Sequence, residues 1–299
     1  MPTRVEPGGS PASWSDRIGR IGIWSAELRF GDRAKACAAA RELDQLGFGA
    51  VWVPGGVGGD ILGAMSDLLD ATDRITVASA IINVWKHEPA EIGAWWREQG
   101  EARQGRLLLG LGVSHAPLIG ASYAKPIAVM SRYIEALTAQ GVPRDRLCVA
   151  AFGPRMLALA GDQSAGAHPY LSTAEHTAAA RAQLGPSALL APGQWVAFES
   201  DPNRARAAIR GALSVYVHLP NYQASWKRQG FTERDIAEVS DRLCDAMAAW
   251  GGVDRMVAGV KAHLDAGADH VCVKVVRGAP GGDATELLPE WRELAAALL

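Results

Sequence analysis

Seven histidines carry most of this chain's capacity for proton transfer near neutral pH, and one stands in a context the others lack. His115 closes the stretch RLLLGLGVSHAPL, Arg106 to Leu118. There Leu107, Leu108, Leu109 and Leu111 make a run too short for an independent helix, and Gly110 and Gly112 discourage one. The run reads as a buried parallel strand. Its carboxyl end then presents small residues followed by an imidazole, which is where enzymes built on parallel barrels place proton donors and acceptors. Among the other histidines, His87 follows Lys86 in a loop near the same mouth and is a second contact for substrate or cofactor. His218 precedes Leu219-Pro220 in a segment suited to a lid. His263, on a charged helix, reads as solvated, His176 as a capping or surface group, and His270 opens a strand with no assigned role.

Two strand-to-helix turns are suited to an anion. AAFGPRMLALAG (Ala150 to Gly161) passes through Gly153 and Pro154 and leaves free backbone N–H groups at a helix amino terminus, and GAHPY with Ser172, Thr173 and Glu175 repeats the arrangement. Ordinary turn and cap chemistry is the competing reading of both. Trp24, Trp85, Trp95 and Trp96, among ten tryptophans, are able to line an aromatic pocket as well as fill a core. Cys37, Cys148, Cys244 and Cys272 are far apart and form no C-x-x-C pair, so they read as buried thiols. No His, Cys and carboxylate set has metal-ligand spacing, so no metal is expected.

The elements that must position these groups alternate along the chain. Short apolar strands are expected at Gly19–Glu27, Gly49–Pro54, Arg74–Val84, the His115 stretch, Leu147–Phe152, Ala165–Tyr170, Trp195–Glu199 and His270–Val276. Between them the pattern predicts helices from Asp32 to Gln45 with a stop at Gly47, over Ile61–Ala71, from Pro89, over Ile127–Ala139, from Pro154 to Asp162, and over Glu175–Leu184. Arg204–Val215, Glu233–Trp250, Asp254–Ala266 and Leu287–Leu299 follow. Eight strands alternating with helices and no linker between halves predict an α/β fold, a (β/α)8 barrel. The doubly wound alternative needs G-x-G-x-x-G, and Gly110-Leu111-Gly112 lacks the third glycine. Residues 1–18, rich in Pro and Gly, are expected to be a disordered tail before a single domain spanning 19–299.

Composition narrows the partners. A net charge of −2 offers nothing to a phosphate backbone, so nucleic acid is not an expected partner. No apolar stretch reaches the roughly 18 residues of a membrane span, and the amino terminus lacks a signal-peptide pattern. A cytoplasmic protein acting on a small molecule is expected.

The segments GRIGIWSA, ASAIINVWKHEPAEIGAW, RLLLGLGVSHAPLIG, AAFGPRMLALAGDQSAGAHPY and TAEHTAAARAQLGP together resemble the luciferase-like monooxygenase superfamily, and more closely its deazaflavin-dependent (coenzyme F420) oxidoreductase branch. The resemblance covers about Gly19 to the carboxyl terminus. It implies a TIM barrel with insertions after strands four and seven that holds a flavin or deazaflavin in its mouth, its ring near strands three and four. It implies a non-proline cis peptide at the end of strand three, matched here by Ser79 and Ala80, with Val113 and Ser114 also at the ring. Phe152, Gly153 and Pro154 with Ala167 and His168 would hold the cofactor phosphate, and His115 would be the acid/base. Trp24, Asn83 and His87 would meet the substrate. Coenzyme F420 is the expected cofactor, with hydride transfer as the reaction; FMN and monooxygenation are the alternative, and a non-catalytic barrel subunit a third reading. Members of the family are often dimers, which implies a homodimer.

Overall fold

The structure, a computed structural model, describes residues 13–56, 58–278 and 281–299. Among the described residues eleven strands lie between helices, except that β4 follows β3 and β9 follows β8 directly: β1 (Ile21–Trp24), β2 (Ala50–Val53), β3 (Thr76–Ser79), β4 (Ile82–Asn83), β5 (Leu107–Gly112), β6 (Leu147–Val149), β7 (Gly166–Ala167), β8 (Leu189–Leu190), β9 (Gly193–Ala197), β10 (Ala248–Trp250) and β11 (Val271–Val275). Every pairing among them is parallel, in the order β10-β9-β11-β1-β2-β3-β5-β6-β7-β8, with β4 beside β5. β8 closes one end of this order and β9 lies near the other, yet only Ala191 and Pro192 separate them in the chain. Backbone N–H groups of Gly193 and Cys272 donate to Pro169 O and Pro192 O across that junction, each at 2.9 Å. The sheet therefore curls strongly, bringing the β8 end near β9 and β11.

Period-two alternation sorts each strand between two cores. On β5, Leu107, Leu109 and Leu111 pack outward under the helices, whereas Leu108 joins the inner cluster with Trp52, Ala78, Cys148, Trp195 and Cys272. Gly110 and Gly112 share the inner register of Leu108, and their missing side chains matter. A Cβ on Gly110 would lie 2.0 Å from Ser79 O, and one on Gly112 would lie 2.5 Å from the Ile81 side chain. The two glycines thus leave room for the chain to bulge between β3 and β4.

Helices end where their caps dictate. Asp32 accepts from Lys35 N at 2.9 Å at the start of Arg33–Leu46, and Gly47, at φ +97°, stops it. Pro89, Pro154 and Pro202 open three others.

Several segments differ from the sequence expectation, among them Leu189–Leu190, an unexpected strand, and the strand expected over Ala165–Tyr170, which is only Gly166–Ala167. Of the expected tail, residues 1–12 lie outside the described residues, but Trp14–Ile18 is a helix closed by a reciprocal Ser13–Asp16 capping box, with Ile18 buried. The helix expected over Glu233–Trp250 is two, Glu233–Ala237 and Asp241–Met247, the second started by the Ser240 cap, and Ala248–Trp250 instead pairs with β9 and satisfies an edge that would otherwise be bare. Between β9 and β10, Pro220–Arg228 forms an additional helix. Among the described residues no helix is long and apolar enough to cross a membrane.

Candidate active site

A cavity of about 760 Å³ opens at the carboxyl ends of the strands. Its walls come from the end of β1 (Trp24), the β3–β4 bulge (Ala80, Ile81), the end of β5 (Gly112 to His115), the turns after β6 (Phe152, Gly153) and β7 (His168, Tyr170), and the Pro220–Arg228 helix. Among the described residues no carboxylate lines it. Four large apolar side chains are exposed among the described residues, and three of them, Phe30 at 51%, Leu118 at 63% and Val215 at 65%, line this cavity. They form an apolar rim, the kind of surface that meets a ligand.

His115 reaches the cavity from a strained turn. Ser114 adopts φ +55°, a left-handed conformation uncommon for a residue with a side chain, and His115 N-caps the short helix Ala116–Ile119 that follows. Its ring lies 5.3 Å from that of Tyr222, and its Nδ1 is buried without a hydrogen-bond partner. Burial pulls the imidazole down to about 4, so it is neutral at physiological pH. Asn221 Nδ2 donates to Ser114 O at 3.2 Å, tying the Pro220–Arg228 helix across the opening.

Tyr222 from that helix stands 4.8 Å from Phe152 and 4.9 Å from Tyr216, and Tyr170 continues the row to Trp24 at 5.4 Å and Trp195 at 6.0 Å. The aromatic wall of the cavity is therefore mostly tyrosine. Trp85, Trp95 and Trp96, grouped with Trp24 in the sequence, turn to other work: Trp85 Nε1–H donates to Val113 O at 2.7 Å, and Trp95 Nε1–H donates to Ser66 Oγ at 2.9 Å.

The turn after β6 carries a helix start and an arginine side by side. Gly153 caps the ten-residue helix Pro154–Gln163 without any side chain in the way, since a Cβ there would meet nothing nearer than Arg228 Nη2 at 3.6 Å. Arg228 is steadied by donating to Phe152 O at 3.2 Å. Pro154 has no N–H, and Met156 N and Leu157 N donate to Gly153 O at 3.1 and 3.0 Å, so the free backbone donors expected from sequence are largely taken and the Arg228 guanidinium is the cation on this side of the mouth.

Of the residues singled out from sequence, Trp24, Ala80, Val113, Ser114, His115, Phe152, Gly153 and His168 line the cavity together. The others do not line it. Ser79 is fully buried in the β3 ladder and its Oγ donates to Gly110 O at 2.9 Å. The non-proline cis bond falls one residue later, between Ala80 and Ile81, because Ser79 still pairs with Val53 and Ala80 N still donates to Val53 O. Asn83 is fully buried and accepts from Trp85 N at 3.0 Å. Ala167 packs outward beneath the helices, and Pro154 begins its helix behind Gly153. His87 sits 3.6 Å from Glu91 Oε2, its carbonyl taken by Tyr133 Oη–H at 2.7 Å. His168 stacks on Trp52 at 4.6 Å inside the sheet, with Nδ1 2.6 Å from Ala191 O, at the cavity floor rather than at the helix-terminal turn.

Two other histidines depart from expectation. His263 is buried, not solvated: its charged neighbours in sequence point elsewhere while its Nδ1 pairs with Thr177 Oγ1 at 2.8 Å. His270 gains a structural role, with Nδ1–H donating to Gly19 O at 2.8 Å and Nε2 accepting from Trp52 Nε1–H at 3.0 Å. His218 is not among the cavity-lining residues, although its neighbours Leu219 and Asn221 are.

Lys274 is a cavity residue to which the sequence reading gave no role. It faces the cavity with its ammonium 4.5 Å from the Trp24 ring centroid and 4.4 Å from that of Trp195. The signal was present in Val-Cys-Val-Lys-Val, where alternation sets Lys274 on the inner face with Cys272.

Residues 20–270 match the family model of the luciferase-like monooxygenases. No curated relative matches the chain by sequence. Among solved structures, an F420-dependent secondary alcohol dehydrogenase in complex with an F420-acetone adduct is similar over 94% of this chain and 99% of its own, at 15% identity and a TM-score of 0.71. The coenzyme F420-dependent tetrahydromethanopterin reductase of Methanopyrus kandleri is similar over 93% and 97%, at 15% identity and a TM-score of 0.64. The oxygenating constituent of 3,6-diketocamphane monooxygenase from Pseudomonas putida, in complex with FMN, is similar over 92% and 96%, at 13% identity and a TM-score of 0.64. At these identities the likeness is one of fold.

Proposed function

Because the chain belongs to the luciferase-like monooxygenase family, we propose that it is an F420-dependent oxidoreductase that transfers a hydride between the deazaflavin and a small organic substrate. The reading takes the curled sheet as a (β/α)8 barrel with insertions after strands four and seven, acting as a homodimer in the cytoplasm. The observation that carries it is His115, whose buried Nδ1 has no protein partner and which lines an apolar cavity of about 760 Å³. Such a volume suits a ring system with a substrate beside it.

The residues present fit a deazaflavin nucleotide. Ala80, Ile81, Gly112 and Val113 offer an apolar wall for a flat ring, and the side-chain-free Gly153 at a helix amino terminus with Arg228 offers a place for a phosphate. The bound cofactor supplies a two-electron hydride carrier; the chain's part is to orient, dry and protonate. The Pro220–Arg228 helix, through Tyr222 and Asn221, covers the cavity and excludes water. His115, neutral at physiological pH, is a proton acceptor, so it takes the hydroxyl proton of an alcohol as the substrate carbon gives up its hydride. Trp24 and Tyr170 bound the space left for that substrate.

Titration of the purified protein with coenzyme F420 and with FMN tests the assignment. Saturable binding of F420 at micromolar concentration is expected, and binding of neither cofactor would sink it. The FMN-dependent alternative draws on the FMN-bound structural neighbour, and oxygen consumption in the presence of reduced FMN separates the two.

A further inference from the structure

Lys274 is the cavity group that the hydride-transfer chemistry leaves unused. On β11 the side chains of Val271, Val273 and Val275 pack outward while Cys272 and Lys274 face inward, so the lysine is committed to the interior by strand alternation. Its ammonium lies between the rings of Trp24 and Trp195, at 4.5 and 4.4 Å from their centroids. Aromatic faces make such a position tolerable for a cation, but they do not neutralise it. Among the described residues no carboxylate comes within 4.0 Å of it, and no carboxylate lines the cavity. A buried charge is ordinarily paired. Here the protein provides no counter-charge in contact, and the cavity gives a ligand access to the ammonium.

We propose that Lys274 anchors an anionic oxygen of the substrate, a carboxylate carried on an aromatic or otherwise apolar body, on the buried side of the cavity. The walls match such a body: Trp24, Tyr170, Trp195 and Tyr216 surround the anchor, and Phe30, Leu118 and Val215 form the rim. Arg228, at the end of the Pro220–Arg228 helix, reaches Gly153 and Phe152 in the turn after β6, so the cation for a cofactor phosphate and the cation for the substrate belong to different elements. This assignment rests on the reading of the cavity as the substrate chamber.

The pH dependence follows from the groups that face the ammonium. Burial lowers Lys274 to about 8. Glu27, on the short helix after β1, bears on it through space and receives Ser25 Oγ–H at 2.7 Å. From the turn after β7, His168 is held neutral by burial, and Tyr170 is pushed well above the ordinary tyrosine range; Tyr216, from the segment between β9 and β10, is raised as well. Above pH 8 the amine loses its proton and with it the attraction for an anion.

The test is calorimetric binding of 2-naphthoate and its uncharged isostere 2-naphthamide to the full chain, with and without saturating F420. Wild type is expected to prefer the carboxylate by about tenfold or more at neutral pH. That preference should fall away as the pH is raised from about 7 to about 9.5. It should vanish in Lys274→Met and persist in Lys274→Arg. Equal binding of the two probes, a preference unchanged by pH, or a preference surviving in Lys274→Met overturns the proposal. The wild-type pH arm decides the matter even where a variant does not fold. Failure of F420 to bind is a separate outcome that removes the cofactor assignment and leaves the naphthoate comparison interpretable.

Discussion

His115 enters the cavity as a neutral imidazole with no carboxylate partner to raise its basicity, so its contribution depends on position rather than on charge. Replacing it by alanine is expected to lower turnover by about 10²–10⁴-fold with cofactor affinity nearly unchanged. Unchanged turnover in single-turnover kinetics would show that the histidine only shapes the pocket. Its place at the end of a buried strand was legible because the chain passes from apolar residues to Gly-Val-Ser-His without interruption. His263 was misread because the charges beside it in sequence say nothing about which face of the Val253–Asp265 helix meets Thr177 across the fold. Two of the site's tyrosines, Tyr216 and Tyr222, were missed for a similar reason. They lie in a segment with no chemical motif, and only the fold brings them beside Tyr170 at the mouth.

β5 and the β3–β4 bulge act as one element. The inner-facing Gly110 and Gly112 accept the Ser79 carbonyl and the Ile81 side chain, so the bulge is seated before any ligand arrives. Gly110→Ala should therefore destabilise the fold by about 1–3 kcal/mol, since backbone rather than a flexible side chain must yield. Urea unfolding measures this, and a variant as stable as wild type would contradict the packing account. Helix boundaries marked by Asp32, Gly47, Pro89 and Pro154 were legible because caps are local chemistry. β10 was not. Ala248-Ala-Trp250 continues a helical composition, and its extended form depends on the free edge of β9, a partner some fifty residues away.

Across the whole molecule, three buried histidines link stability to pH. Burial holds His168, His263 and His270 at about 4, below the ordinary histidine value of 6.5. The unfolded chain therefore binds more protons than the folded one between those values, and stability falls as pH drops through that window. Each histidine contributes a loss on the order of 3 kcal/mol by the bottom of the window. Against a typical total of about 5–15 kcal/mol, that predicts acid unfolding well above the carboxylate range. Thermal melts from pH 7 to pH 4 check it, and a constant melting temperature contradicts the neutral, buried state of these rings. The alternation of strands and helices that disclosed the architecture is a global pattern, repeated along most of the chain and robust to errors at single boundaries. The most direct measurement of the central claim compares F420 binding by wild type and by Gly153→Phe, which fills the turn where the Pro154–Gln163 helix meets the cavity. Micromolar or tighter binding by wild type and a loss of at least about tenfold in the variant is the predicted result. No F420 binding by wild type, or undiminished binding by Gly153→Phe, would contradict the account.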